Sequence, residues 1–389
     1  MTTKTKLLLA VVVVAALAVT AGLASLIVGV GDDTPTAAKN GQPGSTDPGV
    51  TASADPARSP DEIGQAFLRD WVDQGRVVRR DQGGDTVSEG QAYGMLVAVA
   101  LGDEKSFEQI WSWTKDNLVR DDGLLAWRWD KGAVVDDMPA SDADVDAARA
   151  LVLAGQKFDD TAYTEAGTTL GADVLDTMTA QTDVGLILLP GPWAKTSAPW
   201  TYNPSYASPA SFEMLAKATG DPRWSELVTG SRAVTTTILT DTALPSDWAQ
   251  VEQSGAVNPL PSADGTSGTV QYSYDAARLG LRYAESCDPA DVALAARMAP
   301  TLQRYEEPPM QLDLGGQATG TDKSPLAYAA RAAAEAAAGS RDEAKADLLQ
   351  ADRLAQSTPT YYGSAWSALA ALQLDGNALD ACSPLAVSS

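Results

Sequence analysis

The sequence contains no histidine, and this absence removes several classes of chemistry. Without an imidazole the chain has no Ser-His-Asp triad, no histidine general base and no histidine metal ligand. Phenylalanine is scarce, with four residues against ten tryptophans, and there are only two cysteines. Acid–base chemistry in this chain therefore falls mainly to carboxylates.

Positive charge is also in short supply. The chain has 28 Lys and Arg residues against 51 Asp and Glu, a formal net charge of −23. Such a surface repels phosphate backbones, so we expect no nucleic-acid partner, whereas neutral or cationic polymers are compatible with it. With 389 residues, 44% of them hydrophobic, the chain can bury one large core or two ordinary ones.

The first 58 residues differ from the rest in composition. Lys4 and Lys6 precede an uncharged apolar run over 7–30, which is long enough to span a bilayer. We interpret residues 1–30 as a signal peptide or membrane anchor, with an uncleaved anchor favoured, and expect an extracellular or cell-surface location. Residues 31–58 are rich in Gly, Pro, Ser and Thr and lack aromatic residues, which predicts a disordered linker.

The remaining domain, 59–385, has the pattern of an all-α fold. Pairs that place a capping residue before a proline occur at Ser59-Pro60, Ser208-Pro209, Asp221-Pro222, Asp288-Pro289 and Ser324-Pro325. The periodicity predicts about twelve helices: 61–73, 89–101, 104–118, 143–158, 161–179, 208–219, 222–240, 275–286, 289–304, 325–337, 341–354 and 361–373. Twelve helices in sequential pairs suit an (α/α) barrel, with a helical solenoid as the alternative.

Strand signals are weak, and three long loops remain between the predicted helices. They cover 119–141, 180–207 and 241–274 and are rich in Trp, Gly and Pro. Loops of this length in a compact domain are often functional, so we expect them to form a binding groove.

Three acidic residues stand out where predicted helices begin. Glu89 lies in VSEGQAYGM, Asp142 in ASDAD and Asp275 in YSYDAAR. Acids are favoured at helix starts because they accept hydrogen bonds from the first backbone N–H groups, so capping alone would explain each of them. A pair of carboxyls is also what glycosidic bond hydrolysis requires, one as proton donor and one to activate water.

The order of the motifs decides between these interpretations. VSEGQAYGM, LAWRW, ASDADVDAARALVLAGQKF, LLPGPW, WTYNPSY, LPSDWAQ and QYSYDAAR occur in the order found in glycoside hydrolase family 8. The chain resembles this family from about Ser59 onward, and most closely its bacterial cellulase branch associated with cellulose-synthase operons. The resemblance implies an (α/α)6 barrel with a groove across helix N-termini, and an endo-β-1,4-glucanase that hydrolyses cellulose-like β-glucan with inversion.

The resemblance also implies roles for the acids. Glu89 matches the proton donor, Asp275 the general base and Asp142 a residue that binds and distorts the sugar at the cleavage point. The carboxyls of Glu89 and Asp275 should then lie roughly 6.5–9.5 Å apart. A helix N-terminus lowers a carboxyl pKa, so burial and the charge of Asp142 must raise that of Glu89.

Further residues follow with the same resemblance. Trp127 matches a position that stacks on a sugar ring, and its neighbour Trp129 is expected to be buried. Tyr274 and Arg278 flank the base and would orient it, with a structural salt bridge as the alternative for Arg278. Loop aromatics in the groove would be Trp193, Trp200, Tyr206 and Trp248.

No cofactor or metal is expected, because family members need none and the sequence shows no cluster of metal ligands. Cys287 and Cys382 would form one disulfide in an exported protein, or remain two inert thiols. We expect a monomer. Alternative functions are a chitosanase, lichenase or xylan-active enzyme on the same scaffold, or a non-catalytic glycan-binding or synthase-assembly protein.

Overall fold

Two kinds of helix alternate along the chain. The computed structural model describes residues 57–376 and 378–385. Helices with one buried face are α1 (Pro60–Trp71), α3 (Glu104–Asn117), α5 (Thr161–Thr177), α7 (Pro222–Asp241), α9 (Pro289–Ala296) and α12 (Arg341–Ser357). Helices buried along most of their length are α2 (Ser88–Leu101), α4 (Ser141–Lys157), α6 (Pro209–Thr219), α8 (Ala277–Ala284), α11 (Pro325–Ala337) and α13 (Tyr361–Leu374).

This alternation is that of a double ring. A helix that is apolar all round needs neighbours on every side, whereas an amphipathic helix suits the outside. The two sets therefore form an inner and an outer ring of six, and the predicted all-α (α/α)6 barrel is confirmed. The predicted helix 289–304 is wrong in one detail, because it breaks into α9 and a single turn, α10 (Ala299–Leu302).

Most outer helices start with a side-chain cap. Ser59, Asp103, Asp160, Asp221 and Asp288 each accept a backbone N–H from the first turn of α1, α3, α5, α7 and α9. Such a cap stabilises a helix by about 1 kcal/mol.

The predicted side-chain cap of the inner helix α6 is wrong. Ser208 lies at the N-cap, but its hydroxyl shares a hydrogen bond with the hydroxyl of Ser211 (2.8 Å) and accepts no backbone N–H within the described residues.

The long loops contain more strand than the sequence suggested. Ten short strands lie among the described residues: β1 (Val72–Asp73), β2 (Arg76–Val77), β3 (Thr86–Val87), β4 (Arg128–Asp130), β5 (Ala133–Asp136), β6 (Thr179–Thr182), β7 (Gly185–Leu188), β8 (Trp200–Tyr202), β9 (Trp248–Val251) and β10 (Val257–Leu260). They form small antiparallel sheets, with β3-β4-β5 and β8-β9-β10 as the three-stranded ones. These sheets brace the loops at the end of the barrel where the inner helices begin.

Buried ion pairs cross the interior of the barrel between α4 and α8. Arg282 donates both terminal nitrogens to Asp146 (2.5 Å each), and one helical turn further Arg149 pairs with Glu285 (2.8 and 2.9 Å). With Asp142 and Arg278 at the other end, these pairs form a ladder, which we call the α4–α8 ladder. Each charge on the ladder is buried, and each is stabilised by a partner across the interior.

Two contacts secure the ends of the domain. A disulfide joins Cys287 to Cys382 after α8, with Cα atoms 4.9 Å apart. At the other end, Arg58 pairs with Asp352 on α12, so the compact unit begins at residue 58 and not after it.

The predicted signal peptide or anchor, 1–30, and residues 31–56 of the predicted linker lie outside the described residues. Across 57–376 and 378–385, no helix combines the length and the apolar character needed to cross a membrane.

Candidate active site

Three inner helices bring the predicted acids into one cluster. Glu89, Asp142 and Asp275 lie at or just before the first turns of α2, α4 and α8. Arg278 connects two of them directly, and the charges of Asp142 and Asp275 both act on Glu89. The sequence separates these acids by up to 186 positions, and the barrel unites them because parallel inner helices begin at the same end.

Arg278 is the centre of this cluster. It is buried and donates one terminal nitrogen to Asp142 (2.7 Å) and the other to Asp275 (2.5 Å). The nitrogen facing Asp142 also donates to the Tyr93 hydroxyl (3.2 Å), and the guanidinium carbon lies 5.2 Å from the ring centre of Tyr206. Arg278 therefore fixes the spacing of two acids and favours the charged form of Asp275.

Glu89 sits in surroundings that oppose ionisation. Burial is the largest influence and the Asp142 carboxylate the second, and together they raise the pKa of Glu89 to about 7. Arg278 and Arg79 act in the opposite direction. The pKa of Glu89 is therefore raised, as expected, although the residue lies at a helix N-terminus.

Close packing of α13 on α2 creates part of this environment. A Cβ atom at Gly90 would lie 2.9 Å from the Tyr361 hydroxyl oxygen, too near for a real contact. Glycine next to Glu89 therefore lets the Tyr361 side chain reach the start of α2, and that ring helps exclude water around the acid.

Asp142 and Asp144 stand together at the start of α4. Asp142 is 3% exposed, and its second oxygen accepts from Arg278 while its first accepts the Ala143 N–H (2.9 Å). Asp144 is fully buried and accepts the Leu125 N–H (2.9 Å), which ties the loop before Trp127 to α4. Burial raises the pKa of Asp144 well above its usual range.

Asp275 is the more accessible of the two acids that pair with Arg278. Its side chain is 31% exposed and accepts a hydrogen bond from Arg278. Burial raises the pKa of Asp275 to about 6, with Arg278 opposing this and the charges of Asp247 and Asp142 adding to it. The carboxylate is thus held at one edge by a cation and open at the other.

Asp247 is a fourth acid of the cluster and was missed by sequence reasoning. It accepts the N–H groups of Ser273 (2.8 Å) and Ala276 (2.9 Å), on either side of Asp275. The signal was its position in LPSDWAQ, one of the motifs that carry the resemblance, but no periodicity or spacing marks it.

The capping interpretation of these acids is wrong for two of the three. No side chain at the N-cap of α2, α4 or α8 accepts a backbone N–H. Among the three acids, Asp142 alone accepts an N–H of its own helix within the described structure. Ser88 and Gln91 have the spacing of a capping box but do not form one, because Gln91 accepts the Val77 N–H (2.6 Å) and donates to the Thr114 hydroxyl (2.8 Å).

Aromatic side chains line the cluster. Trp127 is half-buried, and its carbonyl accepts the Ser88 N–H (2.9 Å), which places it next to the helix turn of Glu89. Tyr206 is half-buried and contacts Arg278 and the ring of Trp248. Tyr274 is half-buried, and its carbonyl accepts the Tyr362 hydroxyl (3.1 Å).

Two tryptophans differ from expectation. Trp200 is 7% exposed and belongs to a second apolar cluster with Tyr202 and Val251, so it does not line the groove. Trp129 is half-buried and not fully buried, and it packs edge-on against Trp113 with Arg76 over its face.

The predicted site residues thus divide into groups. Glu89, Asp142, Asp275, Arg278 and Tyr206 interact directly, while Trp127 and Tyr274 adjoin the cluster through backbone contacts. Their roles in the reaction and the acid–base separation stay predictions. The part of the chain that the structure describes holds no group of three or more acidic or cysteine side chains arranged for a metal ion.

Comparison with known proteins identifies the chain's relatives. A model of glycosyl hydrolases family 8 matches residues 65–375. A probable endoglucanase of Novacetimonas hansenii is 36% identical over 245 residues, 60% of this chain and 69% of that protein. An endoglucanase of Salmonella typhi is 32% identical over 287 residues, 68% of this chain and 74% of that protein.

A solved structure agrees with these sequence matches. The endo-β-1,4-glucanase CMCax from Acetobacter xylinum superimposes with a TM-score of 0.66 at 28% identity. The match covers 80% of this chain and 97% of that one.

Proposed function

Because the chain belongs to glycosyl hydrolase family 8 and is a glycoside hydrolase of the endoglucanase type, we propose that it cleaves β-1,4-glucan with inversion. One observation carries the mechanism. Glu89 and Asp275 share a cluster with Asp142 and Arg278, and their pKa values lie near 7 and near 6. Between these values the first acid holds its proton and the second is ionised.

Glu89 is the general acid in this proposal. Its proton passes to the glycosidic oxygen as the bond between that oxygen and the anomeric carbon breaks. A raised pKa suits the role, because a carboxyl of ordinary pKa would be ionised at neutral pH and have no proton to give.

Asp275 is the general base. It takes a proton from a water molecule whose oxygen attacks the anomeric carbon from the opposite face, so the configuration inverts and no covalent intermediate forms. Arg278 supports this role because it favours the ionised form of Asp275 while leaving part of its side chain exposed to the groove.

Asp142 supports the reaction without bonding to the sugar carbon. Its negative charge keeps the proton on Glu89, and its position at the start of α4 suits hydrogen bonding to a sugar hydroxyl at the cleavage point. Arg278 neutralises part of this charge and holds the carboxylate in place.

The substrate is proposed from the relatives and from the aromatic lining. The matched proteins are described as endoglucanases, one of them as an endo-β-1,4-glucanase. Half-buried rings at Trp127, Tyr206 and Tyr274 offer flat apolar faces of the kind on which a glucose ring stacks.

Export is a separate proposal and rests on the N-terminal sequence. Lys4 and Lys6 ahead of the apolar run at 7–30 support a signal peptide or anchor, with 31–58 as a tether to an extracellular or cell-surface enzyme. We propose that the enzyme acts as a monomer.

The test is product formation by the full chain on carboxymethylcellulose, mixed-linkage glucan, xylan and chitosan, beside Glu89→Gln. Cleavage of a β-1,4-glucan that disappears in the variant supports the proposal. Cleavage of chitosan alone would leave the acid–base mechanism in place but identify chitosan as the substrate, which a net charge of −23 would favour. Sugar binding without cleavage of any polymer would contradict the enzyme mechanism.

A further inference from the structure

The helix that follows the proposed base begins without a cap of its own. The first N–H groups of α8, those of Ala277 and Arg278, donate to the carbonyls of Ser273 and Asp275 (3.0 and 3.1 Å), so the start of the helix depends on the 273–276 turn before it. Asp247 holds that turn. One oxygen accepts the N–H groups of Ser273 and Ala276, at 2.8 and 2.9 Å, and the other accepts the Ser273 hydroxyl.

Asp247 is itself held in place. Its own N–H donates to the Gln271 carbonyl (2.9 Å), so the bonds run in both directions between the two segments. The preceding Leu244 N–H donates to the Leu314 carbonyl (3.1 Å), and the following Trp248 packs against Tyr206 in the site. A side chain anchored on both sides can determine where its hydrogen-bond partners lie.

We propose that Asp247 is a positioning residue that fixes the 273–276 segment and thereby aims the Asp275 carboxylate at the attacking water. The inference rests on the proposed function, since it takes Asp275 as the general base. Because Asp247 bonds the backbone on both sides of Asp275, the backbone of the base cannot shift without straining at least one of these bonds, and Arg278 holds its carboxylate.

The charge of Asp247 also affects the ionisation of Asp275. After burial and the opposing effect of Arg278, Asp247 is the next influence on the pKa of Asp275, and it raises that pKa. The other titratable groups that face this pair are Glu89, Asp142, Tyr206, Tyr272 and Tyr362. Loss of the negative charge at Asp247 should therefore lower the pKa of Asp275 and move the acidic limb of the activity profile to lower pH.

The experiment compares Asp247→Ala and Asp247→Asn in the full chain, measuring kcat, KM and the pH dependence of kcat/KM on a soluble β-1,4-glucan. The matched control is Asp264→Ala. Asp264 lies in the same long loop and accepts the Thr266 (2.9 Å) and Ser267 (3.2 Å) N–H groups, but it is exposed and holds only its own turn.

The alanine variant should lose about 10- to 100-fold in kcat with KM within about 3-fold, because a base displaced by 1 Å is costly. The asparagine variant keeps an oxygen acceptor for the two N–H groups, so kcat should recover most of the loss while the acidic limb moves to lower pH. Asp264→Ala should match the wild type in kcat and in both limbs.

Wild-type kcat in Asp247→Ala would overturn the proposal, as would equal kcat losses in the two variants with an unmoved acidic limb. If the alanine variant fails to fold, the acidic limb of Asp247→Asn decides. Asp275→Asn, assayed beside them, separates the two levels of inference. Retained activity there would contradict the base assignment, whereas an inactive Asp275→Asn beside a fully active Asp247→Ala would contradict positioning alone.

Discussion

Helix starts on the outside of the barrel differ from those that carry the site. Outside, Asp103 and Asp160 accept the first backbone N–H groups of α3 and α5. Inside, Glu89 lies in the first turn of α2 and Asp275 just before α8, but neither side chain caps its helix in the described structure. The same residue type thus stabilises a helix in one ring and remains free for chemistry in the other.

The difference lies in the loops and not in the helices. The Ser88 N–H donates to the carbonyl of Trp127 (2.9 Å), and the Ser141 N–H donates to the carbonyl of Pro190 (3.1 Å). Just before α8, Asp247 accepts the N–H of the N-cap residue Ala276 (2.9 Å). The long loops that brace the groove therefore also bond the backbone where these helices start, and the side chains of Glu89 and Asp275 do not cap their own helices in the described structure.

The largest loss of activity should come from substituting a site acid whose side chain does not cap its own helix. Glu89→Gln removes the transferable proton and should lower kcat by about 100- to 10,000-fold, the usual contribution of a general acid. Asp103→Asn, its capping counterpart on α3, should keep wild-type kcat. Initial rates on a soluble β-1,4-glucan measure both, and a large loss of kcat in Asp103→Asn would contradict the distinction between capping acids and site acids.

A second test stays within one helix. Asp146 lies one turn beyond Asp142 on α4 and pairs with Arg282 in the α4–α8 ladder. Asp146→Asn leaves a buried guanidinium without its counter-charge, and removing one partner of a buried pair costs about 3–5 kcal/mol of unfolding free energy. Thermal or urea unfolding should show this loss. An unchanged midpoint would mean that the ladder adds nothing to stability.

The third test concerns charge. Asp142 is the second largest cause of the raised pKa of Glu89, so Asp142→Asn should lower that pKa as well as the rate. The wild-type profile of kcat/KM should be bell-shaped between about 6 and 7, since activity needs Asp275 ionised and Glu89 protonated. In the variant the basic limb should move to lower pH. A basic limb that stays in place would show that Asp142 does not hold the proton on Glu89.

The smallest effect belongs to the outer caps. Asp160→Ala removes the acceptor for the Ala162 N–H (2.9 Å) at the start of α5 and should cost about 1 kcal/mol of stability, with kcat unchanged. Asp160→Asn keeps an acceptor oxygen and serves as the control. If alanine and asparagine unfold at the same temperature as the wild type, the cap is not stabilising.

The sequence predicted what is local and periodic. Helix positions follow from apolar spacing and from Pro after a capping residue, and Glu89, Asp142 and Asp275 follow from short motifs in a known order. What it did not predict depends on contacts between distant segments. Asp247 bonds residues 26 to 29 positions away, and the partners in the α4–α8 ladder stand 136 positions apart.

Contacts between distant segments also explain where the sequence-based predictions were wrong. The short strands of the long loops are held by pairing, as in Val87 opposite Arg128, and have little intrinsic signal. Trp200 has the composition of a groove residue, yet its own strand, β8, turns it into an apolar cluster. No local pattern distinguishes a tryptophan that faces a groove from one that faces a core.

If Glu89 and Asp275 act as acid and base on opposite faces of the scissile bond, the anomeric carbon inverts. The anomeric configuration of the first product from a β-1,4-linked oligosaccharide can be followed by proton NMR from the earliest time points. We expect the α-anomer to form first and the β-anomer to appear later by mutarotation. Initial formation of the β-anomer would mean a covalent intermediate and would contradict inversion.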